Sequence, residues 1–148
     1  MTKRMWMVLI SLLGLFLGIY LTLYKFGFIG TLACGVGSCE RVQASRWSVF
    51  LGLPVATWGI GFYVLMLVLS IAGMQERYAD SERRALATFI LAGVGVVFTA
   101  WLNYLEAYVI HAWCEWCIGS ATMVVILFAL SVFDWKETRA EAEEATPV

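Results

Sequence analysis

Four cysteines carry the reactive chemistry open to this chain, and they fall into two pairs, Cys34 with Cys39 and Cys114 with Cys117. The stretch Cys114-Glu115-Trp116-Cys117 stands at the head of a long apolar run, Ile118 to Phe133. Two cysteines at that spacing at the start of a helix put both sulfurs on one face, within disulfide reach. A helix N-terminus stabilises a thiolate, so one of the two thiols is expected to titrate low. So small a loop gains little chain-entropy stabilisation from a bridge, which favours a redox-active dithiol over a structural disulfide or a pair of inert buried thiols. Cys34 and Cys39 read two ways on their own. They are a staple of their loop, or a second exchangeable pair that Gly35 and Gly37 leave free to swing. A zinc site built from all four cysteines, in a non-catalytic membrane module, is the remaining alternative.

Other polar residues cluster near these sulfurs in sequence. His111 is the single histidine, three residues before Cys114. Beside the sulfur it would favour the thiolate; as an interface residue, the plainer reading, it would only meet water. Asn103 and Glu106 lie one turn apart on one face of the third apolar run. An ionisable group inside a membrane is a functional candidate by default. Glu106 would handle a substrate proton, or else snorkel outward or pair with Lys25. Glu115, between the two cysteines, is expected to oppose thiolate formation and raise the neighbouring thiol.

The elements that must position these residues are read from hydropathy. The chain has 148 residues, is 61% hydrophobic and 14% charged, and has a mean hydropathy of +0.81. That profile fits a small helical membrane protein rather than a soluble domain. With a net charge of −1, nothing points to nucleic acid as a partner. Membrane spans are expected over about 6–26, 53–72, 85–110 and 115–133, forming one domain over 1–135. A charged tail covers 136–148, expected to be disordered at its end. Between the first two spans, Glu40 to Phe50 is expected to form a short surface helix, with Val42, Trp47 and Phe50 facing down and Arg41 and Arg46 facing out.

Basic residues set the orientation. With four spans, the termini and the second loop share a side, which carries Lys3, Arg4, Arg77, Arg83, Arg84, Lys136 and Arg139, seven of the ten Lys and Arg. Lys25, Arg41 and Arg46 fall on the other. The termini are therefore expected in the cytoplasm, and all four cysteines face the side where disulfides persist.

The run Cys39-Glu40-Arg41-Val42-Gln43-Ala44-Ser45-Arg46-Trp47 resembles the loop signature of the vitamin K epoxide reductase family: a cysteine, Arg-Val, a serine six positions on, then Arg-Trp. Cys34 upstream, Cys114 and Cys117 opening the last core helix, and Trp58-Gly59 with Phe62-Tyr63 in the second span extend the resemblance over roughly 6–133. It implies an all-α membrane protein, a four-transmembrane-helix bundle whose extracytoplasmic loop caps a quinone site. Cys117 would pass electrons to the quinone, Cys114 would exchange with Cys39, and Cys34 would meet an external thioredoxin-like partner. Ser45 and Trp47 would support the loop. Trp58, Asn103, Glu106 and Ala121, with Cys117, are the expected quinone neighbours. Ala121 stands where animal members carry a tyrosine, no asparagine occurs near Val55–Thr57, and Glu115 replaces the proline common in bacterial members. The resemblance implies a bacterial stand-alone member in the cytoplasmic membrane, using a menaquinone, ubiquinone or phylloquinone type of quinone, with membrane lipid around it and no metal. Without a fused thioredoxin-like domain, its redox partner is expected to be a separate protein.

Overall fold

The computed structural model describes residues 2–31, 33–35 and 37–145. Among the described residues, four helices are long and apolar enough to cross a membrane. They are α1 (Thr2–Lys25), α3 (Val55–Met74), α5 (Glu82–Tyr104), which continues as a π-helical turn over Leu105–Ile110, and α6 (Glu115–Ala145). A six-residue helix α2 (Cys39–Ala44) lies in the first loop, and a single turn α4 (Glu76–Ala79) lies in the second.

The inward residues of α1 are Met7, Ser11, Gly14, Gly18 and Leu21, a helical stripe of mostly small side chains. Gly14 and Gly18 let α1 lie close on α3. A Cβ at Gly14 would collide with the Tyr63 ring, and one at Gly18 would sit 3.1 Å from the Ile60 side chain. Met7, Tyr63, Met66, Ala92, Val124 and Leu127 fill the middle of the bundle. Phe16, Val68, Val94 and Val97 point outward, as a lipid-facing surface requires.

At one end, Asp134 of α6 accepts from Arg4 Nε at 2.8 Å and from Arg84 Nη2 at 2.9 Å. Arg4 also donates to the carbonyls of Gly73 and Ala79 at 2.7 and 2.9 Å. At the other end the first loop folds over the bundle. The expected surface helix from Glu40 to Phe50 is shorter than predicted. It stops at Ala44, where the Ser45 hydroxyl donates to the Val42 carbonyl at 2.7 Å. A 3₁₀ turn (Arg46–Ser48) and a hairpin of β1 (Val49–Phe50) and β2 (Leu53–Pro54) follow, turned by Leu51 and Gly52 in left-handed conformation.

The helix of the fourth span continues beyond Phe133, where that span is expected to end. The helix runs on to Ala145, because Asp134 and Thr138 still face the bundle and Arg139 pairs with Glu143 one turn on. Thr146–Val148, where a disordered end was expected, lie outside the described residues.

Candidate functional site

Cys114 sits directly before α6, where its carbonyl accepts from Ile118 N–H at 3.0 Å. That is the capping position, and the N–H groups of Trp116 and Cys117 turn to its sulfur. The hydrogen bond from the Cys117 thiol, with those two amides, holds the Cys114 thiol below its ordinary value, against its burial and the charge of Glu106. The expectation of one low-titrating thiol at this helix start therefore falls on Cys114. Glu115 does not raise it, because its carboxylate is turned outward to accept from Gly35 N–H at 2.7 Å.

Cys34 and Cys39 form a disulfide, and Cys114 and Cys117 are free thiols. The loop pair is docked over the helix start by short backbone contacts. Ser38 N–H donates to the Trp113 carbonyl at 2.7 Å, and Gly37 bridges Cys114 as a one-residue antiparallel pair. Trp116 Nε1 donates to the Ala33 carbonyl at 2.7 Å, and Ala33 N–H donates to the Tyr20 hydroxyl at 3.0 Å. Gly37 contributes less pliability than fit: its φ is +95°, and a Cβ there would lie 2.6 Å from the Trp113 carbonyl oxygen.

The four sulfurs form a graded series. Cys34 is half-buried, while Cys39 and Cys114 are 1% and 0% exposed and share one apolar cluster with Leu21, Val42 and Ala112. Cys117, alone of the four, stands on the wall of a cavity of about 560 Å³ between the helices. Among the described residues, the one group of potential metal donors joins Cys34, Cys39 and Glu115 rather than the four cysteines, and two of its members are bonded to each other.

The cavity also meets Ser45, Trp47, Trp58, Asn103 and Glu106, but Ala121 is not on its wall. Ala121, expected as a ligand neighbour, thus stands off this cavity. The helix turns Ser120 and Val124 inward instead. Trp58 Nε1 holds the hairpin through the Phe50 carbonyl at 2.9 Å, and Asn103 donates to the Thr99 carbonyl at 2.8 Å. Trp47 packs edge-on against Trp101 at 6.5 Å. Glu106 does not pair with Lys25, whose ammonium donates to the Gln43 carbonyl at 2.6 Å and to Ser48 Oγ at 2.7 Å. Nor does it snorkel: it is 3% exposed and its Oε2 accepts from Cys114 N–H at 3.3 Å. His111 is exposed, in left-handed conformation at the end of the π-helical turn.

Residues 5–132 of the chain match the vitamin K epoxide reductase family. The chain belongs to that family. It is thus a multi-pass membrane oxidoreductase, with quinone-linked disulfide redox chemistry in the general sense that the family carries. The residues of this family member fit such a ligand. The cavity walls are mainly apolar, its volume is in the range of small-molecule sites, and the buried Thr57 hydroxyl on its wall has no hydrogen-bond partner among the described residues.

Three residues on this wall escaped the sequence. Thr57, Gln43 and Ser120 are polar residues in apolar or loop stretches, and only the three-dimensional cavity singles them out. Gln43 Nε2 lies 3.8 Å from Cys117 Sγ, and Ser120 Oγ lies 2.8 Å from the Tyr63 hydroxyl.

Proposed function

We propose that this protein is a quinone-dependent thiol oxidase supporting disulfide-bond formation. Electrons enter from a separate extracytoplasmic thioredoxin-like dithiol at Cys34/Cys39, pass to Cys114/Cys117 and leave to a quinone of the membrane. One observation carries this reading: the sulfurs are ordered from the half-buried Cys34, through the buried Cys39 and Cys114, to Cys117 on the cavity wall. The basic residues at the Arg4 and Arg84 end support cytoplasmic termini in a bacterial cytoplasmic membrane, with the cysteine end facing out.

Each step is thiol–disulfide exchange until the last. The partner's thiolate attacks Cys34, and its second thiol resolves the mixed disulfide, leaving Cys34 and Cys39 reduced. Cys39 then attacks the oxidised inner pair at Cys114, releasing Cys117. Cys34 resolves the Cys39–Cys114 bridge, and Cys114 leaves as thiolate. A thiol held low by the α6 amides and the Cys117 thiol is the better leaving group. The observed pairing, loop disulfide closed and inner thiols reduced, corresponds to the state after this transfer. A quinone in the cavity supplies a sink for two electrons and two protons. The apolar wall keeps water from the Cys117 sulfur, and Thr57 offers a hydroxyl for a polar group of the ligand.

The test is quinone reduction by purified protein in vesicles of known orientation, with a reduced thioredoxin-like dithiol on one side only. Reduction is expected with donor on the Cys34 side and none with donor on the Arg4 side. No reduction from either side would overturn the oxidase, and reduction only from the Arg4 side would overturn the orientation.

A further inference from the structure

Cys117 has one thiol proton and two acceptors for it. Its S–H group faces both the Cys114 sulfur and the Glu106 carboxylate. Glu106 arrives there because α5 widens into a π-helical turn at Leu105, a local irregularity often found at functional sites. The carboxylate is buried on the same cavity wall as Cys117. Among the described residues no ion pair includes it. A carboxyl group placed in the membrane interior without a cation is costly to keep unless it has work there. The other titratable groups around it do not occupy it. Lys25 of α1 is taken by Gln43 and Ser48, the Tyr63 hydroxyl of α3 is held by Ser120, and His111 is exposed.

We propose that Glu106 is the catalytic base that takes the proton of the Cys117 thiol and passes it to an oxygen of the quinone, while the Gln43 amide steadies the sulfur left behind. This rests on the oxidase reading. In the step, the Cys117 S–H bond breaks and one S–S bond forms between the Cys114 thiolate and Cys117, giving up two electrons and one proton. Both electrons reduce the quinone to quinol. The Cys117 proton reaches it through Glu106. One further proton, taken from water, completes the quinol. Glu106 ends as it began.

Glu106→Gln keeps the size and a hydrogen-bond acceptor for Cys114 N–H but cannot carry a proton. The first readout needs no quinone. With Cys34, Cys39 and Cys114 changed to alanine, Cys117 is the single thiol, and its rate of alkylation by N-ethylmaleimide is followed against pH. With Glu106 present, the rate is expected to rise in two steps, the lower one marking the shared proton. With Glu106→Gln, that lower step is expected to vanish. The second readout is turnover in the otherwise unaltered protein, where kcat is expected to fall about 100-fold or more while KM for quinone stays within about twofold. Glu106→Asp is expected to keep the lower step and recover part of kcat. A Gln variant that keeps the lower step, or loses less than about threefold in kcat, overturns the proposal. If the Gln variant does not fold, the Asp variant decides, since absence of the lower step there also overturns it. Failure of the unaltered protein to reduce quinone would instead count against the oxidase, with the alkylation profile still judging Glu106.

Discussion

At one end of the bundle, Arg4 and Arg84 close on Asp134, tying α1, α5 and α6 through buried charges. At the other end, the cysteine-bearing part of the first loop is held by neutral hydrogen bonds to Trp113, Trp116 and Tyr20 and by one contact from Gly35 to Glu115, while the Lys25 ammonium anchors its later part at Gln43 and Ser48. The difference is one of reversibility. Breaking a buried ion pair strands a charge, so that joint stays closed. Single hydrogen bonds contribute about 0.5–1.5 kcal/mol each, so a loop segment held by a few of them opens at lower cost than the ion pairs do. On the proposed relay, the bundle thus separates a joint that fixes the fold from a joint that gives during exchange.

The largest break should come from the reactive end. Cys117→Ala removes the sulfur on the cavity wall and is expected to cut quinone reduction by about 1,000-fold or more, as loss of a reacting group does. Reduction of the Cys34–Cys39 bridge by the dithiol donor should continue within about threefold, and the unfolding temperature should hardly move. Stopped-flow kinetics of donor oxidation and quinone absorbance would separate the two half-reactions. Wild-type turnover in this variant would mean that electrons leave from another atom.

The complementary break comes from the charged end. Asp134→Ala leaves the guanidinium groups of Arg4 and Arg84 without their counter-ion in a buried site, and is expected to cost about 3–5 kcal/mol of stability. Thermal unfolding in detergent would measure it. Turnover per folded molecule should stay within about twofold, because none of the three residues lies on the cavity wall. If turnover collapses while the protein remains folded, the two ends are coupled and their division is wrong.

The sequence makes the four spans legible because long apolar runs have few alternatives, and the cysteine spacing marks where to look. Other features depend on which atoms end up facing each other. Gly37 reads as a pliant residue but is needed for close approach to Trp113. Glu115 reads as a charge against the thiolate, yet its side chain turns to Gly35. Asp134 draws no role from the sequence, although an acid directly after an apolar run, with Arg4 and Arg84 at two other span starts, is a usable sign of a buried clamp. The π-helical turn that delivers Glu106 is a change in hydrogen-bond register, and residue types in Leu105–Ile110 do not distinguish it from ordinary helix. Gln43 reaches Cys117 only because the loop folds down over the bundle.

The smallest effect probes how the give-and-take end is tuned. The double variant Cys34→Ala, Cys117→Ala lacks both resolving thiols, so mild oxidation should trap a Cys39–Cys114 disulfide, seen by peptide mapping without reduction. If both thiols stay free, the two pairs do not communicate and the loop disulfide is a staple. The rate of trapping also reports Cys114, because only a thiolate attacks. The rate should rise with pH and level off above the Cys114 pKa. The structure holds that thiol low first of all through the hydrogen bond from the Cys117 side chain. Alanine at position 117 removes that donor, whereas serine restores a hydroxyl. The Cys34→Ala, Cys117→Ser protein should therefore reach its half-maximal rate at lower pH than the alanine version. A hydrogen bond to a charged group is worth about 1.5–3 kcal/mol at good geometry, and 1.36 kcal/mol is one pH unit, so a shift of about one unit is the expected scale. Cys39 is common to both proteins and cancels in the comparison. Equal midpoints would show that position 117 does not set the acidity of Cys114, leaving the amides of Trp116 and residue 117 at the head of α6 to do it alone.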